Sequence, residues 1–285
     1  MNLTDTFING LISKSQDIPG SVNLLSRRVL LDYFGVLAGG KKFLLEKHPE
    51  LLASAPGAAF LNGFAAHVLE LDDGHRHGMI HLEASIVPAV LDIAGKEGLK
   101  SQDILKGIVM GYEAAVRCAR AIQPGHKERG YHVSGTCGTI GSALAVAFAC
   151  NYSENQIKST LACAVSSAAG VLEIQEQASE MKPYNLGRAA MAGLVAARMG
   201  KLAMPGPDDI LGGKRGFLAA LTDTPHPEFL TDFSAPEYAI EGIYQKVHAA
   251  CQRRLSQGSG DLPGQQAYRG RKPRKQYGYH FYHRL

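Results

Sequence analysis

The hydrophobic positions near the start of the chain follow a helical period. Between residues 21 and 38, apolar residues recur at i, i+4, i+5 and i+8 from Leu25, which places them on one face of a helix. Ser21 is a suitable N-cap, and the Gly39-Gly40 pair is typical of a helix end. The pattern therefore predicts an amphipathic helix over about 21–38.

Similar signals recur along most of the chain. Ser153 and Gln156 have the spacing of a capping box, and Pro88 lies early in its segment, where a helix tolerates proline. Residues 240–247 are compatible with a strand. The further predicted helices cover about 58–71, 83–97, 101–122, 138–149, 153–170 and 187–200. This arrangement indicates a mainly α fold, built as a helical bundle.

Composition supports a globular protein without a membrane span. The chain has 285 residues, of which 45% are hydrophobic and 20% charged, and it has no Trp. Residues 133–152 carry no charge, but their Gly, Ser, Thr and Asn favour a buried helix over a bilayer-spanning one. Five cysteines without a CxxC pair indicate reduced thiols. With no segment resembling a secretory signal, we expect a cytoplasmic protein.

The positive charge is concentrated at one end. Residues 252–285 hold eight Lys or Arg and one Asp, so residues 1–251 hold 22 basic and 25 acidic residues and a net charge of −3. No apolar period survives in this tail, and we expect residues 256–274 to be disordered. Basic residues with interleaved tyrosines also leave open a weak nucleic-acid-binding alternative.

Residues 70–81 contain the densest group of acids and bases in the chain. The segment holds Glu70, Asp72, Asp73, His75, Arg76, His77 and His81. Such groups shift one another's pKa values and can exchange protons near neutral pH. A solvated loop and a metal site are the alternatives. The metal signal is weak because the segment lacks HExxH and spaced cysteines, so proton transfer is the preferred interpretation.

Two further segments carry candidate chemistry. His132 precedes small residues that lead into a predicted helix, whose N-terminus favours an anion. Lys182 and Arg188 flank a turn and are suited to neutralising substrate carboxylates. Each has an ordinary alternative, a structural histidine in the first case and surface cations at a turn in the second.

Together these segments resemble one protein family. The matching stretches, in order along the chain, are 67–73 (HVLELDD), 80–81 (IH), 130–132 (GYH), 135–138 (GTCG), 182–183 (KP), 187–190 (GRAA) and 212–217 (GGKRGF). Their order and approximate spacing resemble the MmgE/PrpD family, which includes 2-methylcitrate dehydratase, cis-aconitate decarboxylase and iminodisuccinate epimerase. The resemblance covers roughly residues 5–251.

The resemblance implies a function and a site. It implies a cofactor-free, metal-free homodimer acting on a small di- or tricarboxylate, by proton abstraction next to a carboxylate. A lyase like 2-methylcitrate dehydratase is preferred, with an epimerase or a decarboxylase of the same family as alternatives. The implied catalytic residues are Asp72, Asp73, His81, His132 and Lys182. The implied substrate-binding residues are Glu70, His75, Arg76 and Arg188.

The resemblance also predicts the domains. Residues 1–234 would form the helical domain, residues 235–251 the start of an α+β lid domain, and residues 252–285 the basic tail. Family members are longer, and their pattern ends here near 244–251, before a tail that resembles out-of-frame translation. We therefore expect a truncated lid, which leaves an inactive remnant as a further alternative.

Overall fold

The computed structural model describes residues 2–177 and 179–246 and confirms a mainly α fold. There are also two short 3-10 turns among these residues, Leu172–Gln175 and Ala239–Gly242. The helices of the described residues are α1 (Leu3–Lys14), α2 (Gly20–Lys47), α3 (Pro49–Ser54), α4 (Ala58–His67), α5 (Glu83–Glu97), α6 (Ser101–Ile122), α7 (Gly125–Glu128), α8 (Val133–Ala149), α9 (Glu154–Ser166), α10 (Lys182–Gly200), α11 (Phe217–Leu221) and α12 (Glu228–Thr231).

Helix α8 forms the centre of the bundle and is buried along its whole length. It packs against α6 on one side and α10 on another, with α5 and α9 also in contact. Gly111 of α6 and Gly141 of α8 face each other, and a Cβ built on either would lie 2.9 Å from the other's carbonyl oxygen. The two backbones therefore approach more closely than larger residues would allow.

The described strands form one small antiparallel pair. β1 (Gly74–His75) pairs with β2 (Ile243–Tyr244), with Gly74 opposite Tyr244 and His75 opposite Ile243. A Cβ at Gly74 would collide with the Tyr244 ring, so the close crossing requires glycine. The strand predicted over 240–247 is thus present only at Ile243–Tyr244, because a 3-10 turn occupies Ala239–Gly242.

Several predicted helix boundaries are confirmed and others are wrong. α5 and α6 match the predicted ends, and the Ser153–Gln156 capping box is present. α2 continues through the Gly39-Gly40 pair to Lys47, contrary to the prediction. Its Gly40 lies against the Ala65 carbonyl of α4, where no Cβ fits, so this glycine serves helix packing instead of helix termination.

Four other helix ends also differ from the prediction. α4 stops at His67, four residues before the predicted end at 71. α8 starts at Val133 and α10 at Lys182, each five residues earlier than predicted, because the small or polar residues in those first turns are buried against neighbouring helices. The helix predicted over 153–170 ends at Ser166.

The chain from 235 to 246 is tied to the helical body. Glu113 of α6 accepts a hydrogen bond from the Ala239 N–H (2.7 Å), and the Tyr238 hydroxyl donates to the Lys14 carbonyl (2.8 Å). These bonds fix the path that leads to β2. The remainder of the predicted lid start, and the predicted disorder of the tail, lie outside the described residues.

Across residues 2–177 and 179–246, no helix has both the length and the hydrophobicity needed to cross a bilayer. The uncharged stretch 133–152 lies mainly in α8, where it is enclosed by other helices.

The glycine crossing of α6 and α8 yields a stability prediction. Gly111→Ala should lower the free energy of unfolding by about 1–3 kcal/mol, because its Cβ would press on the Gly141 carbonyl and force the helices apart. Gly95→Ala is the matched control: it lies in α5 with nothing within 4 Å of the added Cβ. It should raise stability by roughly 0.5–1 kcal/mol. Urea unfolding measures both, and equal effects would contradict the close crossing.

Candidate active site

A buried aspartate lies between a histidine and a lysine at the end of α4. Asp72 Oδ2 is 2.8 Å from His67 Nδ1, and Asp72 Oδ1 is 3.6 Å from Lys246 Nζ. Asp72 and His67 are fully buried, and the Lys246 side chain is 1% exposed. Lys246 also donates to the Glu70 carbonyl (2.8 Å), so the segment after β2 contributes directly to this cluster.

The electrostatics assign charges within this group. Burial lowers the pKa of His67, which leaves a neutral ring that donates its Nδ1–H to Asp72. Burial raises the pKa of Asp72, but its contacts with His67 and the Lys246 charge outweigh that effect and hold the pKa well below its usual range. At neutral pH the group therefore consists of an ionised aspartate, a neutral histidine and an ammonium.

His81 follows in the same loop and has a defined tautomer. Its backbone N–H donates to Ser134 Oγ of α8 (3.0 Å), and its Nδ1 lies 2.7 Å from the Asp73 carbonyl oxygen. A carbonyl only accepts hydrogen bonds, so Nδ1 carries the proton. Burial lowers the pKa of His81 well below its usual value, so the ring is neutral and Nε2 has a free lone pair. This nitrogen is suited to act as a base.

His132, at the N-cap of α8, has the opposite tautomer. Its Nδ1 accepts a hydrogen bond from Asn185 Nδ2 of α10 at 2.9 Å. Burial, followed by the positive charge of Lys182, lowers the pKa of His132 well below its usual value. A neutral ring that accepts at Nδ1 carries its hydrogen on Nε2. His132 can therefore donate a hydrogen bond from Nε2.

Lys182 begins α10 and completes the group. Its Nζ is 2.9 Å from Glu70 Oε1, and its charge depresses the pKa values of His67, His81 and His132 after the larger effect of burial. Burial raises the pKa of Glu70, but Lys182, His67 and Lys246 together outweigh it and lower the pKa, so Glu70 is ionised. The structure thus brings the predicted residues Glu70, Asp72, His81, His132 and Lys182 into one electrostatic neighbourhood.

The carboxylate of Asp73 has a different environment. Its Oδ1 accepts from the backbone N–H groups of Leu82 and Glu83 at 3.1 and 3.0 Å, and its Oδ2 accepts from the Tyr112 hydroxyl at 2.7 Å. Both oxygens are occupied by protein donors. Asp73 therefore reaches His81 through its backbone carbonyl, and its carboxylate is turned to other partners.

Three predicted substrate-binding residues have other contacts. His75 lies in β1 and its Nδ1 accepts from the Gly78 N–H (3.1 Å), while Arg76 is exposed. The Arg188 guanidinium donates to the carbonyls of Gly135 and Ala169 at 2.9 and 2.6 Å, and to that of Ser167 at 3.3 Å. Arg188 thereby ties α10 to the chain around α8, and substrate binding by these three residues stays a prediction.

The cluster also has the donor set of a metal site. His67, Asp72 and His81 each offer one ligand atom, and these atoms lie within 4.8 Å of one another. However, Lys246 Nζ is 3.6 Å from Asp72, and the Lys182 charge acts on both histidines. A dication at Asp72 would have to displace the Lys246 ammonium, which repels it at this range. The Lys246–Asp72 ion pair therefore disfavours a metal ion at this cluster.

Two surface clefts differ in their relation to these groups. One, of about 470 Å³, is lined in part by Asp32, Leu71 and Lys246 and borders the Asp72 cluster. A larger one, of about 650 Å³, lies between α1, α6 and α9 and is lined by none of the clustered groups. None of the clustered histidines lines either cleft. The smaller cleft is the better candidate for access to the site, because Lys246 belongs to both.

Comparison with known proteins places this site in a family. Residues 45–230 match the MmgE/PrpD N-terminal domain, which is more than half of the chain. The chain belongs to the MmgE/PrpD family. The match includes α4, α5, α8 and α10, which carry most of the candidate site.

The MmgE/PrpD chain is also similar to curated proteins. The cis-aconitate decarboxylase of Homo sapiens is 28% identical over 174 residues, which cover 59% of this chain and 36% of that protein. The cis-aconitate decarboxylase-like protein oryM of Aspergillus oryzae is 26% identical over 272 residues, which cover 83% of this chain and 56% of that protein. The Mus musculus cis-aconitate decarboxylase is 28% identical over 167 residues, which cover 56% of this chain and 33% of that protein. The chain thus spans between a third and somewhat over half of these relatives.

Several site residues of the MmgE/PrpD chain were not predicted from sequence. His67 was visible in the motif with Asp72, but its spacing alone gave it no role. Asn185 and Lys246 carry no local signal, because each meets its partner only through long-range folding. Ser134 was concealed among small residues that read as helix packing.

The buried histidines of this chain predict a pH dependence of stability. Burial lowers the pKa values of His67, His75, His81, His126 and His132, to about 4 for His75 and His126. The unfolded chain binds protons on these rings below about pH 6.5, and the folded chain binds fewer. The free energy of unfolding should therefore fall as the pH drops from about 6.5 towards 4.

Chemical denaturation on either side of that window measures the effect. His226→Gln, whose side chain is 42% exposed, should leave the difference between the two pH values unchanged. His126→Gln should reduce it, because one buried neutral ring is removed. Constant stability across this range would contradict the neutral, buried state of the rings.

Proposed function

We propose that this chain is a cofactor-free lyase that decarboxylates cis-aconitate or a closely related tricarboxylate. The observation that carries the proposal is a pair of neutral histidines in opposite tautomers beside two lysines. The similarity to cis-aconitate decarboxylases supports the choice of reaction within the family. The interpretation preferred from sequence alone, a 2-methylcitrate dehydratase, has no comparable support among those relatives.

The substrate carboxylates would be bound by charge. Lys182 and Lys246 have largely buried side chains, at 9% and 1% exposure, where an ion pair with a carboxylate is screened less than in water. His132 adds a neutral donor at Nε2, and Glu70 and Asp72 hold the ammonium groups in place. Hydrogen bonds of this kind would stabilise charge that spreads into a carboxylate during the reaction.

The chemistry requires one proton-transfer group. In decarboxylation the C–C bond to one carboxylate breaks, carbon dioxide leaves, and the electron pair moves through the alkene to a carbon that must be protonated. The tricarboxylate would raise the proton affinity of His81, and its imidazolium would deliver the Nε2 proton to that carbon. The Asp73 carbonyl at 2.7 Å and Asp72 Oδ2 at 3.7 Å from Nδ1 would stabilise the imidazolium.

In dehydration or epimerisation, His81 Nε2 would remove a proton from the substrate carbon instead of delivering one. As the structure stands, His81 is neutral with a free Nε2 lone pair, which is the state of a general base. This is the observation that keeps 2-methylcitrate dehydration as the second candidate. The homodimer and the substrate itself stay predictions of the family resemblance, and the cytoplasmic location stays a prediction from the sequence.

A substrate panel tests the proposal. Purified full-length protein with ¹³C-labelled cis-aconitate should release carbon dioxide and form the decarboxylated alkene, followed by NMR, with 2-methylcitrate and iminodisuccinate as parallel arms. His81→Ala should lower kcat by about 10²-fold or more, because the proton donor is lost. Lys182→Ala should raise KM, because one carboxylate loses its counter-charge.

Controls separate loss of chemistry from loss of fold. His226→Ala removes a histidine in contact with Glu228 and Phe229, away from the cluster, and should leave kcat and KM unchanged. A folded protein that turns over 2-methylcitrate but no cis-aconitate would overturn the decarboxylase proposal and favour the dehydratase. A folded protein inactive on all three substrates would favour the inactive remnant.

A further inference from the structure

The loop between Asp73 and Glu83 is closed by hydrogen bonds in both directions. Asp73 Oδ1 accepts from the backbone N–H groups of Leu82 (3.1 Å) and Glu83 (3.0 Å), which are free donors at the start of α5. In return, Glu83 Oε1 accepts from the Asp73 N–H at 3.0 Å. Asp73 thus caps α5 from a distance, in a reciprocal arrangement like a capping box.

A third side chain, from another helix, holds this closure. The Tyr112 hydroxyl of α6 donates to Asp73 Oδ2 at 2.7 Å. Asp73, Glu83 and Tyr112 are all at 0% exposure, so water cannot replace a lost partner. With both carboxylate oxygens of Asp73 occupied, this residue is poorly placed to take a proton from a substrate.

His81 lies inside the closed loop and depends on it. Its Nδ1–H donates to the backbone carbonyl of Asp73 at 2.7 Å, and its own N–H donates to Ser134 Oγ at 3.0 Å. The carbonyl of Asp73 can accept that bond only while the residue keeps its present orientation. The side-chain contacts of Asp73 set that orientation.

We propose that Asp73, Glu83 and Tyr112 are positioning residues, which hold the Asp73 carbonyl against His81 Nδ1 and keep Nε2 as the unprotonated nitrogen. No sequence motif indicated a role for Glu83 or Tyr112. Asp73, which the family resemblance implied to be catalytic, is assigned a positioning role in this proposal. The proposal rests on the proposed function only for what Nε2 does to a substrate, since the tautomer exists without turnover.

The protonation state of Glu83 offers a conservative variant. Burial, and then the neighbouring charge of Asp73, raise the pKa of Glu83 well above its usual value. Burial raises the pKa of Asp73 to about 6. Both effects favour the neutral acid form of Glu83, and its Oε1 acts as an acceptor. Glutamine supplies the same acceptor with a similar shape, whereas alanine removes it and leaves the Asp73 N–H unpaired.

The tautomer of His81 can be measured directly. Full-length protein labelled with ¹⁵N-histidine should show His81, assigned by its loss in His81→Asn, with a protonated Nδ1 and an unprotonated Nε2 at neutral pH. Glu83→Ala should convert this to a mixture of tautomers, and Glu83→Gln should keep the wild-type state. A wild-type His81 protonated on Nε2 would overturn the proposal.

Tyr112→Phe provides a second variant, which also serves if Glu83→Ala does not fold. It removes one hydroxyl and should likewise mix the His81 tautomers. Tyr33→Phe is the matched control, because Tyr33 is also at 0% exposure but its hydroxyl has no hydrogen-bond partner among the described residues. Tyr33→Phe should leave the tautomer and the kinetics unchanged.

Kinetics separate positioning from a purely structural role. Tyr112→Phe and Glu83→Ala should lower kcat by about 10–10²-fold with little change in KM and should change the pH profile, because Nε2 is misplaced and the Asp73 carbonyl no longer stabilises the His81 imidazolium. Lower thermal stability with the wild-type tautomer and pH profile would overturn the proposal. If the protein shows no turnover, the proposed function fails, and the NMR measurement still decides the positioning role.

Discussion

Two adjacent aspartates, Asp72 and Asp73, are fully buried, and the need to compensate their carboxylates organises the structure around them. A buried ionised carboxylate is costly unless charges and hydrogen bonds replace water. Asp72 obtains these from His67 and Lys246, and Asp73 from Tyr112 and the start of α5. These partners come from helices and segments far apart in sequence, so satisfying both acids draws distant parts of the fold together.

Close helix packing keeps water away from these buried acids and their partners. The Gly111–Gly141 crossing brings α6 and α8 together, which places Tyr112 and Ser134 beside the loop that carries His81. Larger residues at the crossing would separate the helices and open gaps around the loop. Small residues in the core thus contribute to the electrostatics of the site, because they exclude water from groups whose pKa values depend on its absence.

Local patterns predicted the helices well where local forces set their ends. The Ser153 capping box and the bounds of α5 and α6 follow from side chains near in sequence. The prediction failed at Gly40, where a glycine that reads as a helix terminator lies inside α2 against the Ala65 carbonyl. A glycine can end a helix or admit a neighbouring backbone, and only the neighbour distinguishes the two uses.

The sequence by itself determined the helical class, the family and the concentration of acids and bases over residues 70–81, because these depend on residue types and their spacing. Only the tertiary structure decided the partners of those groups. It placed Asn185 on His132 and the Asp73 carbonyl on His81, which gives the two rings opposite tautomers. The tautomer of each ring is set by the group that is hydrogen-bonded to its Nδ1, and folding brings that group into place.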